Sequence, residues 1–253
     1  MAHFAPTEDL VCLESKDALT AGTLGFMPRI LVLTNLPHRR PKSHRFDRFN
    51  GRHTLRLSAP RRIGLPYGSY PRLLLAYLTT QAVRTKCPQI DLGATRNNLA
   101  RKLGLSVISG PRGTAQRLQE QLRRLLCMRL DWQSALSLAP RSSGSACVAA
   151  GGAAWLNPVR QLFARQTTWR SQIFLSKDFF DEATRSAVPI DLRAIRQLQG
   201  SPLAIDLYVW LTYRMSYLRK PTVVPWKSLE TQFGANYTRP RDFRRRVSKL
   251  LEA

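Results

Sequence analysis

Two segments of this sequence carry basic and amide side chains at spacings suited to contacts with DNA bases. In the first, Leu118, Leu122 and Leu125 fall on one face of a helix. The helical period then turns the following residues to the opposite side or its edges: Arg112, Gln116, Arg117, Glu120, Arg123 and Arg124. Arginine can pair with guanine through two hydrogen bonds and glutamine with adenine, while glutamate can accept one from cytosine. The segment therefore predicts a recognition helix for duplex DNA.

A second segment, from Pro240 to the end of the chain, repeats this apolar spacing with Phe243, Val247 and Leu250. Its outward side and edges hold Arg239, Arg241, Arg244, Arg245, Ser248 and Lys249. A face that is only solvated usually mixes both charge signs, whereas residues 239–249 hold six basic groups against Asp242 alone. This imbalance favours DNA contact over simple solvation in both segments.

Motifs for catalysis are scarce. The sequence has no GxxxxGK[ST] loop for nucleotide phosphates and no His-x-His pair to hold a metal beside a nucleophilic tyrosine. One carboxylate cluster, formed by Asp178, Asp181 and Glu182, is of the kind that binds Mg²⁺ in nucleases. The same acids also suit the N-terminus of a short helix that begins near Ser176, because the helix dipole favours negative charge there. We expect this second role, and we expect no catalytic residues.

The cysteines and histidines are poorly placed for a metal site. Cys12, Cys87, Cys127 and Cys147 are too far apart for a CxxC pair. The four histidines all precede residue 54, in a basic stretch where we expect them to be solvated polar residues. We therefore expect no metal and no other cofactor.

The net charge of the chain indicates a polyanionic partner. Forty Lys and Arg residues against 16 Asp and Glu residues give +24 at pH 7, and such an excess concentrates polyanions around a protein. The longest apolar run, residues 73–78, is far shorter than the ~18 residues of a membrane-spanning helix. Acidic residues near the N-terminus also argue against a secretory signal. We expect a cytoplasmic protein that binds nucleic acid and has no membrane partner.

The elements that would position the two basic helices occur twice in the same order. First, we predict a helix over 69–85, a strand over 90–92 and a helix over 95–103, followed by the first basic helix. A strand over 128–132 comes next, with residues 173–175 as its return partner. The second occurrence has a helix over 201–211, a strand near 223–224 and a helix over 226–233 before the second basic helix. This order is typical of a winged helix, and its repetition indicates a duplication.

The predicted fold is α+β and mostly helical, with two tandem winged-helix domains behind a basic, largely unstructured N-terminal arm. We place the arm at 1–62 and the first domain at 63–190, with a Ser/Gly/Ala-rich hairpin insertion at 134–154. The second domain covers 191–253 and ends where its C-terminal wing would begin. Residues 29–62 hold ten basic residues and one acid, so the arm either solubilises the chain or clamps phosphates.

Several stretches closely resemble the RepA family of plasmid replication initiators from Gram-negative broad-host-range plasmids. The longest is GLPYGSYPRLLL at residues 64–75, followed by residues 79–80 and 82–86. The likeness continues at residues 99–105, 113–114 and 123–125, and returns at 226–229, 232–234 and 242–244. It extends over most of the chain from Met27 onward, so Met27 is an alternative to Met1 as the start.

The resemblance implies a protein that binds repeated sites at a plasmid origin, helps to open the duplex and recruits host replication initiation and helicase-loading proteins. We expect initiation without catalysis by the chain itself. A winged-helix repressor, acting on its own gene, is the alternative among DNA-binding proteins. A metal-dependent nuclease or nickase using the acids at 178–182 is the enzymatic alternative. The resemblance also allows the chain to form a homodimer.

Overall fold

The computed structural model describes residues 2–4, 17–108, 110, 113–134, 143–149, 169, 172–234 and 237–252. The N-terminal part forms strands β1 (Ala2–Phe4) and β2 (Leu24–Pro28), helix α1 (Arg29–Thr34), and strands β3 (Arg45–Phe49) and β4 (His53–Ser58). The middle part forms α2 (Ser69–Thr85), β5 (Gln89–Asp91), α3 (Arg96–Lys102), α4 (Thr114–Leu126), β6 (Arg129–Ser134), β7 (Ser143–Cys147), β8 (Gln172–Phe174), α5 (Lys177–Arg185) and β9 (Ala187–Asp191). The C-terminal part forms α6 (Leu192–Gln197), a 3₁₀ turn (Leu198–Gly200), α7 (Pro202–Met215), β10 (Thr222–Val224), α8 (Trp226–Phe233) and α9 (Pro240–Leu251). The fold thus mixes helices and strands, as predicted, and half of it is helical.

The predicted unstructured arm is wrong for the described residues from 17 to 62, because this segment is folded. Strand β2 pairs with β9 in antiparallel fashion, and α1 buries Ile30, Leu31 and Val32. Strand β4 alternates so that Leu55 and Leu57 are fully buried. These short apolar patterns lie between basic residues, and their partners are more than 70 residues away in the chain. The basic composition of the segment therefore gave no indication of its pairing.

The largest sheet has the strand order β3-β4-β6-β7, and every neighbouring pair is antiparallel. Strand β7 lies inside the predicted insertion at 134–154, of which residues 135–142 and 150–154 fall outside the described part. The predicted pairing of residues 128–132 with 173–175 is wrong. Ile173 pairs instead with Ile90, so β8 is the partner of β5. Strand β6 has β4 as its neighbour on one edge and β7 on the other. An alternating pattern indicates a strand but does not identify its neighbour.

One hydrophobic core extends through the described chain. It includes residues from the N-terminal segment, such as Met27, and residues from the last helix, such as Val247. Helix α2 lies at its centre, with Leu74, Leu75 and Leu78 fully buried. The predicted boundaries at 62/63 and 190/191 therefore do not separate independent cores.

A buried ion pair joins the first helices of the two predicted repeats. Arg72 on α2 is 1% exposed and holds Asp206 on α7 through two hydrogen bonds of 2.7 Å. Arg72 also donates to the carbonyl oxygens of Leu36 and Gly68, and His38 Nε2 lies 2.8 Å from Asp206 Oδ2, the oxygen that also accepts from Arg72 Nη2. Burial alone would raise the pKa of Asp206, but the neighbouring Arg72 charge and the His38 hydrogen bond outweigh it and lower the pKa. The pair thus ties α2, α7 and the loop after α1 together.

None of the helices within the described ranges is long and apolar enough to cross a membrane.

Candidate nucleic-acid interface

Helix α4 shows the predicted amphipathic register. Leu118, Leu122 and Leu125 are at most 3% exposed. On the opposite side, Gln116 and Arg117 are exposed at the N-terminal half of the helix, which is the part of a recognition helix that enters the groove. Two of the predicted contact residues, Gln116 and Arg117, are therefore accessible to DNA.

Two other predicted residues of this helix are less accessible, and one cannot be placed. Arg123 is half-buried, and its guanidinium lies 3.7 Å from the Glu120 carboxylate. Glu120 itself also accepts a 2.8 Å hydrogen bond from Arg124. Arg112 lies outside the described residues.

Arg124 is not at the outward face and is removed from the candidate contacts. It is 7% exposed, its Nη1 donates to the carbonyl oxygen of Leu65, and its guanidinium lies 5.3 Å from the centre of the Tyr67 ring. Position 124 is next to Leu125 of the buried stripe, so the side chain turns toward the loop before α2. The helical period places Arg124 at the edge of the outward face of α4. Only the packing of the loop before α2 decides whether its side chain is buried or exposed.

Helix α9 also has the predicted register, with Phe243 and Val247 fully buried. The candidate residues are all exposed: Arg239, Arg241, Arg244, Arg245 and Lys249. Two of them have acidic neighbours. Arg244 donates a 3.0 Å hydrogen bond to Glu230 of α8, and Arg245 lies 3.7 Å from Asp242. Exposed pairs of this kind are weak, so both guanidiniums can exchange their partner for a phosphate.

The cleft beside α9 contains two basic residues that the sequence reasoning did not select. It has a volume of about 760 Å³ and is lined by His38 and Arg39, by the start of α7, and by Arg245, Arg246 and Lys249. Arg246 belongs to the basic run at 239–249 but not to the outward face that the helical period predicts. Arg39 lies in the predicted unstructured arm, although the hydrogen bond between His38 and Asp206 holds its neighbour in place. Long-range packing is what brings Arg39 next to α9.

A second cleft runs beside α4, with a volume of about 820 Å³. Its walls come from the outward residues Gln116, Arg117 and Glu120, from residues 67–70 at the start of α2, and from the turn at Gly200. Gly200 also lines the cleft of α9. The two clefts therefore adjoin at Gly200, with Gln116 and Arg117 lining one and Arg245 and Lys249 lining the other.

The carboxylates at 178–182 lie on α5, as the helix-dipole interpretation predicts. Ser176 caps the helix by accepting a hydrogen bond from the amide of Phe179, and Asp178 lies in the first turn. Asp181 and Glu182 pair with basic residues of the same helix at 2.6 and 3.6 Å, and burial raises the pKa of Glu182. Among the residues that the structure describes, no three His, Cys, Asp or Glu side chains converge on a point that could hold a metal ion.

Comparison with known proteins confirms the family resemblance. The model of a family described as plasmid encoded RepA protein matches residues 65–227, from the loop before α2 to the first turn of α8. No curated protein matches the chain significantly. A crystal structure of selenomethionine derivatives of domains 2 and 3 of RctB is similar with a TM-score of 0.57 and 13% identity, over 89% of this chain and 83% of that one. Another crystal structure of RctB domains 2–3 gives a TM-score of 0.54 and 14% identity, over 86% and 80% of the two chains.

The RctB structures share little sequence with the chain, so their likeness concerns the fold. The family model, in contrast, matches the sequence itself over more than half of the 253 residues. The chain belongs to the family of plasmid-encoded RepA proteins.

Proposed function

We propose that this RepA-family chain initiates plasmid replication by binding repeated duplex sites at the origin, with α4 and α9 as its two recognition helices. The observation that supports the proposal is the adjoining pair of clefts, because exposed basic residues of both helices, Arg117 and Arg245, line openings that share Gly200. A duplex that contacts two such helices presents successive major-groove segments about 10 base pairs apart.

The order of elements supports a winged-helix interpretation of the first unit. Helix α3 packs against α4, and the antiparallel hairpin of β6 and β7 follows α4 in the chain. This is the position of a wing after a recognition helix. In the second unit α8 packs against α9. We therefore infer that the second unit binds DNA through α9.

The loop after α1 adds a fixed phosphate contact to the interface. Arg39 follows His38, whose ring is held by the buried Asp206 carboxylate. A cation held in this way binds a phosphate with less loss of side-chain and backbone freedom than a cation on a mobile arm. Phosphate contacts fix the position of a protein on DNA, whereas the base contacts of α4 and α9 would supply the sequence preference.

We further infer that the chain acts by binding and not by catalysis of its own. Energy for opening the origin would come from DNA deformation and from cooperative occupancy of repeated sites. Family membership also leads us to include two further properties in the proposal. The chain would recruit host replication initiation and helicase-loading proteins, and it would form a homodimer.

Footprinting on the cognate plasmid is the direct test. Protection of direct repeats beside an AT-rich segment is expected, whereas a single palindrome over a promoter would indicate a repressor instead. Strand cleavage in Mg²⁺ would indicate a nuclease.

Variants connect the footprint to the proposed surface. Arg117→Ala and Arg245→Ala should each weaken binding to the repeats. Arg219→Ala is the matched control, because Arg219 is exposed in the loop after α7 and does not line either cleft. The C-terminal end of α7 lies about 20 Å from the end that borders the α9 cleft. Equal losses for all three variants would contradict the proposed interface.

A further inference from the structure

A cavity of about 370 Å³ lies between α2, α3 and α6, and its lining shares no residue with the clefts of α4 and α9. Its inner wall is apolar, with Leu73 and Ala76 from α2, Leu103 after α3, and Leu192 and Ile195 from α6. The volume lies within the range of pockets that enclose small organic ligands. The cavity is therefore large enough for a ligand with an apolar body.

The mouth of the cavity carries two exposed guanidiniums. Arg84, on the last turn of α2, donates a 2.6 Å hydrogen bond to the carbonyl oxygen of Leu24. Arg196, on α6, donates a 3.3 Å hydrogen bond to the carbonyl oxygen of Lys102. Neither of them has a carboxylate within ion-pair distance among the residues that the structure describes. Since a guanidinium has five N–H donors, both keep donors available for an anion.

The remaining charges of the cavity neutralise each other. The Lys102 ammonium lies 2.9 Å from the Asp91 carboxylate and 3.3 Å from the Tyr77 hydroxyl. The hydrogen bond from Lys102 lowers the pKa of Asp91, so this carboxylate stays ionised and paired. Burial raises the pKa of Tyr77, whose hydroxyl donates to the carbonyl oxygen of Asp91. The cavity thus keeps an excess of two positive charges, those of Arg84 and Arg196.

We propose that this cavity binds a small organic anion with an apolar body and a carboxylate or phosphate head. The apolar body contacts the wall formed by α2 and α6, and the head binds between Arg84 and Arg196. A carboxylate or phosphate accepts two parallel hydrogen bonds from a guanidinium, which is why arginine suits this head group. Because α2 and α6 belong to different predicted domains, the bound ligand stabilises their contact in addition to filling the cavity.

Thermal melting and calorimetric titration of the full chain without DNA test the proposal, with phenyl phosphate and octanoate as probes. Saturable binding of at least one probe is expected, and their relative affinity distinguishes a phosphate head from a carboxylate head. Inorganic phosphate, which lacks the apolar body, should bind at least tenfold more weakly at equal ionic strength. Octylammonium, which has the apolar body with the opposite charge, should not bind.

Two arginine variants separate a defined site from general attraction to a basic protein. Arg84→Gln should weaken probe binding about tenfold, which corresponds to one lost charged contact. Arg101→Gln removes the same charge from an exposed position on α3 that does not line the cavity. The affinity of this variant for the probe should therefore stay within twofold of that of the unchanged protein. Both positions are exposed, and neither change should prevent folding.

Three results would overturn the proposal. One is the absence of binding by both probes, and another is equal affinity for phenyl phosphate and inorganic phosphate. The third is an equal loss in Arg84→Gln and Arg101→Gln, which would mean diffuse electrostatic attraction by the +24 charge. Arg245→Ala should leave probe affinity unchanged, so failure of the DNA-binding proposal and failure of this one are separate outcomes.

Discussion

Replacing Asp206 by Asn should strongly destabilise the chain. The change keeps the size of the side chain but removes the negative charge that Arg72 contacts at two distances of 2.7 Å. Arg72 is 1% exposed, so its charge would stay buried with only neutral acceptors. Removing one partner of such a pair typically costs about 3 to 5 kcal/mol. That is a large share of the roughly 5 to 15 kcal/mol that stabilises a typical folded domain.

Urea denaturation followed by far-UV circular dichroism measures this loss. Asp47→Asn is the control, because Asp47 pairs with Arg56 at 3.4 Å while both side chains are more than 60% exposed. Exposed pairs contribute less than about 1 kcal/mol. The double variant Arg72→Leu with Asp206→Leu should recover much of the lost stability, because neither charge is then left buried alone.

The pH dependence of stability has a definite sign. The pKa of Asp206 in the folded chain lies below its value in the unfolded chain. Its contribution is therefore complete above about pH 4, the ordinary range of an aspartate, and is lost as the pH falls through the lower folded value. In the Asp206→Asn variant, the free energy of unfolding should therefore lack the part of its pH dependence that comes from protonation of Asp206. A loss below about 1 kcal/mol in Asp206→Asn, equal to that of Asp47→Asn, would refute the argument that the buried pair joins the two repeats.

The remaining predictions concern the interface and the N-terminal segment. If DNA binding neutralises ~6 to 10 phosphates, affinity should fall roughly 10³- to 10⁵-fold between 50 and 200 mM salt, and a flat response would contradict phosphate contact. Arg241→Ala should cost about 1 to 3 kcal/mol of DNA binding with an unchanged melting curve if it pairs with guanine, whereas Phe243→Ala should cost about 3 to 5 kcal/mol of stability because it empties a buried aromatic site; similar melting of both would refute the register of α9. Arg124→Ala should lower stability by about 1 to 3 kcal/mol through the loss of its buried hydrogen bonds, and a variant that melts normally but loses DNA affinity would place Arg124 at the interface after all. Deleting residues 1–62 removes β2, β3 and β4 from their pairings, so circular dichroism should show loss of cooperative melting rather than a folded protein with weaker DNA binding.

Local patterns in the sequence predicted many of the helices and where they begin. Thr95, Ser176 and Ser201 precede helices, and each accepts a hydrogen bond from an amide in the first turn. Such caps form between residues three positions apart, so they are visible in the sequence. Gly104 has a φ of 72°, which favours glycine, and it directly follows Leu103, the C-cap residue of α3, where the predicted helix over 95–103 ends.

Contacts between distant segments escaped prediction. Arg72 stands in a leucine-rich helix, and nothing within ten residues of it indicates that its partner is Asp206. The N-terminal strands gave a similar difficulty, since a strand of five or six residues among basic residues has a weak pattern of its own. Strands β2 and β4 pair with β9 and β6, whose residues lie more than 70 positions further along the chain.

By itself, the sequence determined the charge of the chain, the apolar faces of α4 and α9, and membership of the RepA family. The charge follows from composition, and the two apolar faces follow from spacings of three to eight residues, which depend on the helix alone. The family follows from motifs such as residues 64–75 and from the match over residues 65–227. Only the tertiary structure decided that Arg124 is buried, that Arg39 lies beside α9, and that the two clefts adjoin at Gly200. The physical reason is that burial and adjacency depend on which surfaces pack together, and the partners in those contacts lie far apart in the chain.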